Sequence, residues 1–445
     1  MDRHRQCGFA AFADQDLLGL GCPKRIVRFV ACIFLCAGLS GCDRATPPSR
    51  EPLLQRGYIW QRDWTSAVAA SVAEADKRLD GVVFLGAEID AKTLSANKAS
   101  VDWEKLKDAK KPLAVALRVA PFSGPFAADD ATIKEIARVA KSMLEDAKTH
   151  GVSLAEFQFD FDCAQKSLAG YRRWVRTLRP IIQPVRFVIT ALPAWLDEPD
   201  FLKLIDDVDG YVLQVHSVPT LEESGRAVLC DPKLARKWVT RAARLGRPFA
   251  VSLPTYRCLA GYDPNGKLCG VAFDSVQPSW PNGTRVVEYS VDADEIADLV
   301  ADWKTARPKE LRELLWYRVP VTSDIRNWRW PTLAAVMSGR KPVHKLEVLS
   351  EGENPVDVSI ANTGEADEQR NPLVTLNWNA DVTLVASDAL PGWTLKIDNP
   401  RAVFRPASEY RLRLSPGSRR SIGWLRYDRP PNVRAQVEEL GDAPR

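Results

Sequence analysis

The sequence predicts an α/β protein, a (β/α)8 TIM-like barrel followed by a small all-β sandwich domain, and three observations carry that expectation. Between Gly57 and about Arg340, eight short apolar runs alternate with longer amphipathic stretches. Short turns precede the runs, whereas long irregular segments follow several of them. Beyond Gly339-Arg340-Lys341-Pro342 helical periodicity disappears and a period of two takes over. Eight βα units fit one closed cylinder. An open doubly wound sheet is the alternative, but one that wide is rarer. The 445 residues are 45% apolar and 27% charged, which excludes a fibrous or wholly disordered chain. Lys+Arg 61 against Asp+Glu 57 leaves only +4, with no long basic run, so nucleic acid is not an expected partner.

In chain order the first element is an export signal. Lys24, Arg25 and Arg28 precede the apolar run 29–41, whose 13 residues suit a signal-peptide core and fall short of a bilayer span. The run closes on Leu39-Ser40-Gly41-Cys42, which resembles the bacterial lipobox. That resemblance implies cleavage before Cys42, lipidation of its thiol, and a protein held on the cell envelope, on the periplasmic side, by a membrane anchor. Residues 1–41 are thus read as a lipoprotein signal peptide and 42–56 as a polar, Pro-rich tether. Removal of 1–41 takes five Lys/Arg and three Asp/Glu and leaves +2, too little to indicate a partner.

Residues 57–342 are assigned to the barrel. Its strands are GYIW (57–60), GVVFLGAE (81–88), PLAVALR (112–118), EFQFDFD (156–162), VRFVITAL (185–192), GYVLQVH (210–216), PFAVSLP (248–254) and ELLWYR (313–318). Between them, Ile133, Ile136, Ala140, Met143 and Ala147 recur at helical steps before His150-Gly151. Leu168, Tyr171, Val175 and Leu178 do the same before Pro180, and Asp231-Pro232 opens a helix that Gly246 ends. Function is expected at the carboxyl ends of the strands, on the long-loop side, with the loop 255–289 as a lid or wall.

Four cysteines remain in the exported body. Cys258 and Cys269 flank the turn Asp263-Pro264-Asn265-Gly266 and are expected to pair, leaving Cys163 with Cys230; buried free thiols are the alternative. No CxxC or HxxxH spacing points to zinc.

In EFQFDFD, alternation sends Phe157, Phe159 and Phe161 to one face and Gln158, Asp160 and Asp162 to the other. The phenylalanines suit the helix-covered outside, which puts the two aspartates at the barrel mouth, about 6.6 Å apart along the strand. Carboxylates at that spacing influence each other's protonation, and the deeper Asp160 is expected to be the harder to ionise. The alternatives are hydrogen-bonded strand-end residues that orient loops, or a divalent-cation site, although no further acidic cluster supports a metal. Glu88 is a third candidate acid. Strand ends add Trp60, Arg118, Gln214, His216, Tyr256, Trp316 and Arg318, with Gln158, as substrate-binding candidates. Glu88 is alternatively a partner for Arg118, and Arg118 and Arg318 are alternatively ion-pair partners that keep the aspartates charged. Several of the 14 Trp fall at strand ends or in loops, where indoles can stack on sugar rings. Neither a GxSxG elbow nor a Walker or dinucleotide motif is present, and no cofactor is expected.

QFDFDC, LLWYRVP and RNWRWPTL resemble an uncharacterised bacterial family, the domain-of-unknown-function group 3142, across most of the mature chain. More distantly, Phe159-Asp160-Phe161-Asp162 on the fourth strand and Trp316 on the eighth resemble chitinase-type family 18 glycoside hydrolases. That resemblance implies a barrel acting on a glycan. In the family's DxDxE motif the Glu is the general acid and the preceding Asp orients the acetamido group; here the Glu position is Ala164. Asp162 or Glu88 would then have to supply the proton.

Residues 343–430 are read as the sandwich, with strands in HKLEVLS, VDVSIAN, LVTLNW, VTLVAS, TLKID, AVFR, YRLRL and SIGWLRY, and 431–445 as a loose tail. The combined expectation is a lipid-anchored envelope protein whose barrel binds, and through Asp162 and Asp160 hydrolyses, a glycan or polysaccharide. The alternative is a non-catalytic glycan-binding or scaffold lipoprotein.

Overall fold

The computed structural model describes residues 51–127, 129–217, 228–273, 279–410 and 412–439; the export signal, Cys42 and most of the tether lie outside them. The chain runs β1 (Leu54–Ile59), α1 (Ser66–Arg78), β2 (Val82–Asp90), β3 (Ser95–Lys98), α2 (Trp103–Lys107), β4 (Leu113–Val119), α3 (Ala131–Thr149), β5 (Leu154–Phe161), α4 (Leu168–Ile182), β6 (Arg186–Ala191), α5 (Pro199–Ile205), β7 (Gly210–Gln214), α6 (Pro232–Arg244) and β8 (Phe249–Pro254). It continues through β9 (Cys258–Tyr262), β10 (Leu268–Ala272), β11 (Arg285–Tyr289), α7 (Ala293–Thr305), β12 (Leu311–Tyr317) and α8 (Trp330–Ser338). Strands β1, β2, β4, β5, β6, β7, β8 and β12 pair in parallel in that order, and β12 returns to β1 with Leu54 opposite Glu313 and Gly57 opposite Trp316. The sheet is therefore closed.

Local chemistry explains the helices. The Asp130 carboxylate accepts from the Ile133 N–H at 2.8 Å to start α3, and Ile133, Ile136, Ala140, Met143 and Ala147 all bury on the barrel side. Asp231 caps α6 ahead of Pro232, and Gly246, at φ +65°, ends it. Helix α4 passes Pro180, where the sequence placed its end, because the next half turn buries Ile182.

Four boundaries differ from expectation. Leu54–Arg56 belong to β1 rather than to the tether, with Arg56 buried in the barrel. The described residues of the 255–289 segment form their own antiparallel sheet, ordered β10-β9-β11. YRLRL forms no strand among the described residues, although Leu412 and Leu414 are buried. The tail is not loose throughout, since 434–439 pair with β15 below.

After α8 come β13 (Leu346–Glu351), β14 (Val356–Asn362), β15 (Pro372–Asn377), β16 (Leu384–Ala389), β17 (Trp393–Asp398), β18 (Arg401–Pro406), β19 (Arg419–Tyr427) and β20 (Arg434–Glu439). They form two four-stranded antiparallel sheets, β13-β14-β19-β16 and β17-β18-β15-β20, around Val358, Ile360, Val374, Leu376, Phe404, Ile422 and Leu425. The sandwich is tied to the barrel by Arg413, bidentate to Glu288 at 2.7 and 2.8 Å, and by Arg340 to Glu365.

Both expected disulfides are absent: Cys163, Cys230 and Cys258 are buried free thiols and Cys269 is an exposed one. The Asp263–Gly266 turn forms as expected, but in the β9–β10 register Cys269 falls beside Gly261 and Tyr262. Cys258 is three residues further along β9. At about 3.3 Å per residue that is about 10 Å, beyond the roughly 7 Å that a disulfide spans between Cα atoms.

Candidate active site at the barrel mouth

Strand β5 sorts its side chains by parity. Phe157, Phe159 and Phe161 bury outward, with Phe161 meeting Tyr171 and Trp174 of α4 at ring-centre distances of 5.1 and 5.2 Å. Glu156, Gln158, Asp160 and then Asp162, just past the strand end, form a polar column in the barrel interior. The lowest rung is a closed ion-pair network. Arg56 donates to Glu313 at 2.7 Å and to Glu156 at 3.0 Å, and Arg186 binds the other Glu156 oxygen. Burial alone would raise the Glu156 pKa; the Arg56 and Arg186 charges outweigh it and hold the group below the usual carboxylate value. Gln158 is the next rung, donating to Glu156 at 2.7 Å and accepting from the Tyr58 hydroxyl at 2.7 Å.

Asp160 is fully engaged. Its Oδ2 accepts from Arg118 Nη1 at 2.9 Å, and its Oδ1 from Thr190 at 2.8 Å and Gln214 at 3.3 Å. Register explains the ion pair, because Glu88, Arg118 and Asp160 are Cα partners across β2, β4 and β5. Glu88 lies 4.0 Å from Arg118 Nε and is bound by Arg62, an ion-paired position. Asp162 differs: its Oδ1 is buried without a hydrogen-bond partner. Burial first, then the Asp160 charge, push its pKa up to about 7 against the opposing Arg118 charge. Burial thus raises the pKa at Asp162, where the expectation had placed the effect on the deeper Asp160. Depth brought Asp160 three donors, whereas Asp162 was buried without them.

On the opposite wall His216 faces Ser252 Oγ at 3.2 Å and the Tyr256 hydroxyl at 3.5 Å, and stacks on Tyr317 with ring centres 5.7 Å apart. Burial lowers its pKa to about 4, so the ring is neutral near pH 7. Tyr58, Trp60 and Tyr317 pack edge to face at 5.3 to 5.7 Å, with Trp60 the most open of the three.

Of the sequence candidates, the structure gathers Glu88, Arg118, Gln158, Asp160, Asp162 and Gln214 around the column, and Trp60, His216 and Tyr256 on the facing wall. Two do not fit. Trp316 points outward, fully buried, with its indole N–H on Gln55 at 3.1 Å and Trp328 alongside; Tyr317 holds the inward position. Arg318 is ion-paired to Asp324 rather than to either strand-end aspartate. Sequence reasoning missed Tyr58, Thr190, Ser252 and Tyr317. Thr190 is the single uncharged polar side chain in VRFVITAL, a readable signal. In LLWY both faces are apolar, so alternation gives none. Among the described residues no group of three or more His, Cys, Asp or Glu is placed to hold a metal ion.

Solved structures similar to the chain include a chitinase from Chromobacterium violaceum, at 11% identity over 65% of this chain and 98% of that one, with a TM-score of 0.44. The spore cortex-lytic enzyme SleL of Bacillus cereus is 12% identical over 66% and 75%, TM-score 0.43, and the class V chitinase of Nicotiana tobaccum 10% identical over 64% and 98%, TM-score 0.43. Comparison with curated proteins finds no match. Residues 108–322, from just before β4 to just past β12 and so including the whole β5 column, match the family described as Domain of unknown function (DUF3142).

Proposed function

We propose that the barrel mouth binds a glycan and cleaves it, with Asp162 delivering the proton to the leaving oxygen and Asp160, fixed by Arg118, Thr190 and Gln214, setting the field around it. The observation that carries this reading is the buried Asp162 oxygen without a partner on a carboxyl whose pKa is pushed up to about 7. A carboxyl in that state donates a proton near neutral pH, as glycoside cleavage requires. Asp160 is tied to three donors and makes a poor nucleophile. Chemistry with a single free carboxyl favours a substrate that supplies its own nucleophile, such as a 2-acetamido sugar. Trp60, the most open member of the aromatic cluster, offers a ring face for the sugar.

A specific observation favours a second reading. Ala164 stands where the resembling motif has its acid, so the same mouth would bind glycans without turnover. Incubating the chain from Asp43 onward with N-acetylated cell-wall glycans separates the two: fragments that vanish in Asp162→Asn support cleavage, whereas fragments unchanged in that variant refute the assignment. Binding without fragments supports the second reading. The lipobox-like run Leu39-Ser40-Gly41-Cys42 supports an envelope location through a lipidated Cys42, and fatty-acid labelling lost in Cys42→Ser tests that.

A further inference from the structure

Between barrel and sandwich lies a cleft of about 740 Å³, within the roughly 300–1,000 Å³ typical of small-molecule sites. Its walls come from the segment after β8, the start of α7, the loop before α8, and residues 366–370 of the sandwich. Asp160, Asp162 and Arg118 are not among its walls; only Tyr256 borders both spaces.

The cleft holds buried charge that the protein does not satisfy. Arg326 is 6% exposed, and its Nη1 is buried without a hydrogen-bond partner. Its nearest acid in sequence, Asp324, is spent on Arg318 and on the Arg326 backbone N–H. Glu368 is held by Arg370 at 2.6 Å and His344 at 3.2 Å, and Asp292 caps α7 through the N–H groups of Asp294 and Glu295. Across the cleft, Asp367 stands 3.5 Å from Arg257 through Oδ2, while its Oδ1 is buried without a partner. Burying a guanidinium N–H and a carboxylate oxygen unpaired is costly, so both wait for groups from outside. Arg326 calls for oxyanion oxygens and Asp367 for a hydroxyl donor, and Trp328 lines the same space.

We propose that this interdomain cleft is a second ligand site, selective for an acidic saccharide unit whose carboxylate engages Arg326 and whose hydroxyl engages Asp367. It does not rest on the proton-donor role of Asp162. The test is calorimetry on the chain from Asp43 onward, which keeps every described residue. The probes are a hexuronate oligosaccharide, a neutral hexose oligosaccharide of equal length, and inorganic phosphate. The hexuronate binds and the neutral sugar does not; Arg326→Gln weakens binding on the order of 30-fold, and Asp162→Asn leaves it unchanged. Gln369 is exposed at the cleft, and Gln369→Trp weakens binding too, without disturbing buried charge. Equal binding of the neutral sugar, binding of phosphate alone, or hexuronate affinity indifferent to both variants overturns the proposal.

Discussion

Replacing Asp162 by Asn is expected to tilt the stability of the barrel against pH, and replacing His216 by Gln to tilt it the other way. Burial moves Asp162 from an ordinary 3.8 to about 7 and His216 from 6.5 to about 4. Between about pH 4 and 6.5 the folded state keeps an Asp162 proton that the unfolded chain has lost, so this group makes stability fall with rising pH. Over the same window the unfolded chain carries a His216 proton that the folded state rejects, so that group makes stability rise. Each slope is about 1.4 kcal/mol per pH unit, and in the native sequence the two cancel. Asp162→Asn leaves the histidine slope alone, a gain of about 3 kcal/mol from pH 4 to 6.5. His216→Gln leaves the aspartate slope, a loss of about 3 kcal/mol that continues until about pH 7. Urea unfolding followed by tryptophan fluorescence across this range measures both. Three parallel profiles would refute the burial of either group as the source of its shift.

Arg118→Met leaves the buried Asp160 without its ion partner and is expected to cost about 3–5 kcal/mol by urea unfolding; a cost near zero would mean that Thr190 and Gln214 suffice. In the chain from Asp43 onward, Ellman's reagent should titrate one thiol in the folded state, that of Cys269, and the other three only after denaturation, because burial pushes Cys163, Cys230 and Cys258 up to about 12.

The barrel strands were legible because most of them, among them β2, β4, β6 and β8, are short apolar runs with turn residues before them, and the capping residues Asp130 and Asp231 mark helix starts directly. The acidic pair was legible because Phe157, Phe159 and Phe161 leave only one parity for the polar set. Three features were hidden. The inward residue of β12 could not be chosen, since Leu314, Leu315, Trp316 and Tyr317 offer no polar alternation. The β9–β11 sheet is spread over a long insertion whose turn signals read equally well as loop. Which aspartate holds its proton depends on donors from β4, β6 and β7, contacts between strands distant in sequence.

Charge counting at the mouth explains why Asp162 is the exception. Glu88, Asp160 and Asp162 are three carboxylates served by two guanidinium groups, Arg62 on Glu88 and Arg118 chiefly on Asp160. Asp162 has neither a donor on its buried oxygen nor a cation of its own, and burial with the Asp160 charge beside it raises its pKa. Arg118 also lies 4.0 Å from Glu88, an attraction that competes with any shift of the guanidinium toward Asp162. Glu88→Gln removes that attraction and should lower the Asp162 pKa below about 7. In a His216→Gln background, the pH at which stability stops falling then moves to lower pH. If the break stays in place, Glu88 does not compete with Asp162 for Arg118, and burial with the Asp160 charge holds the Asp162 proton.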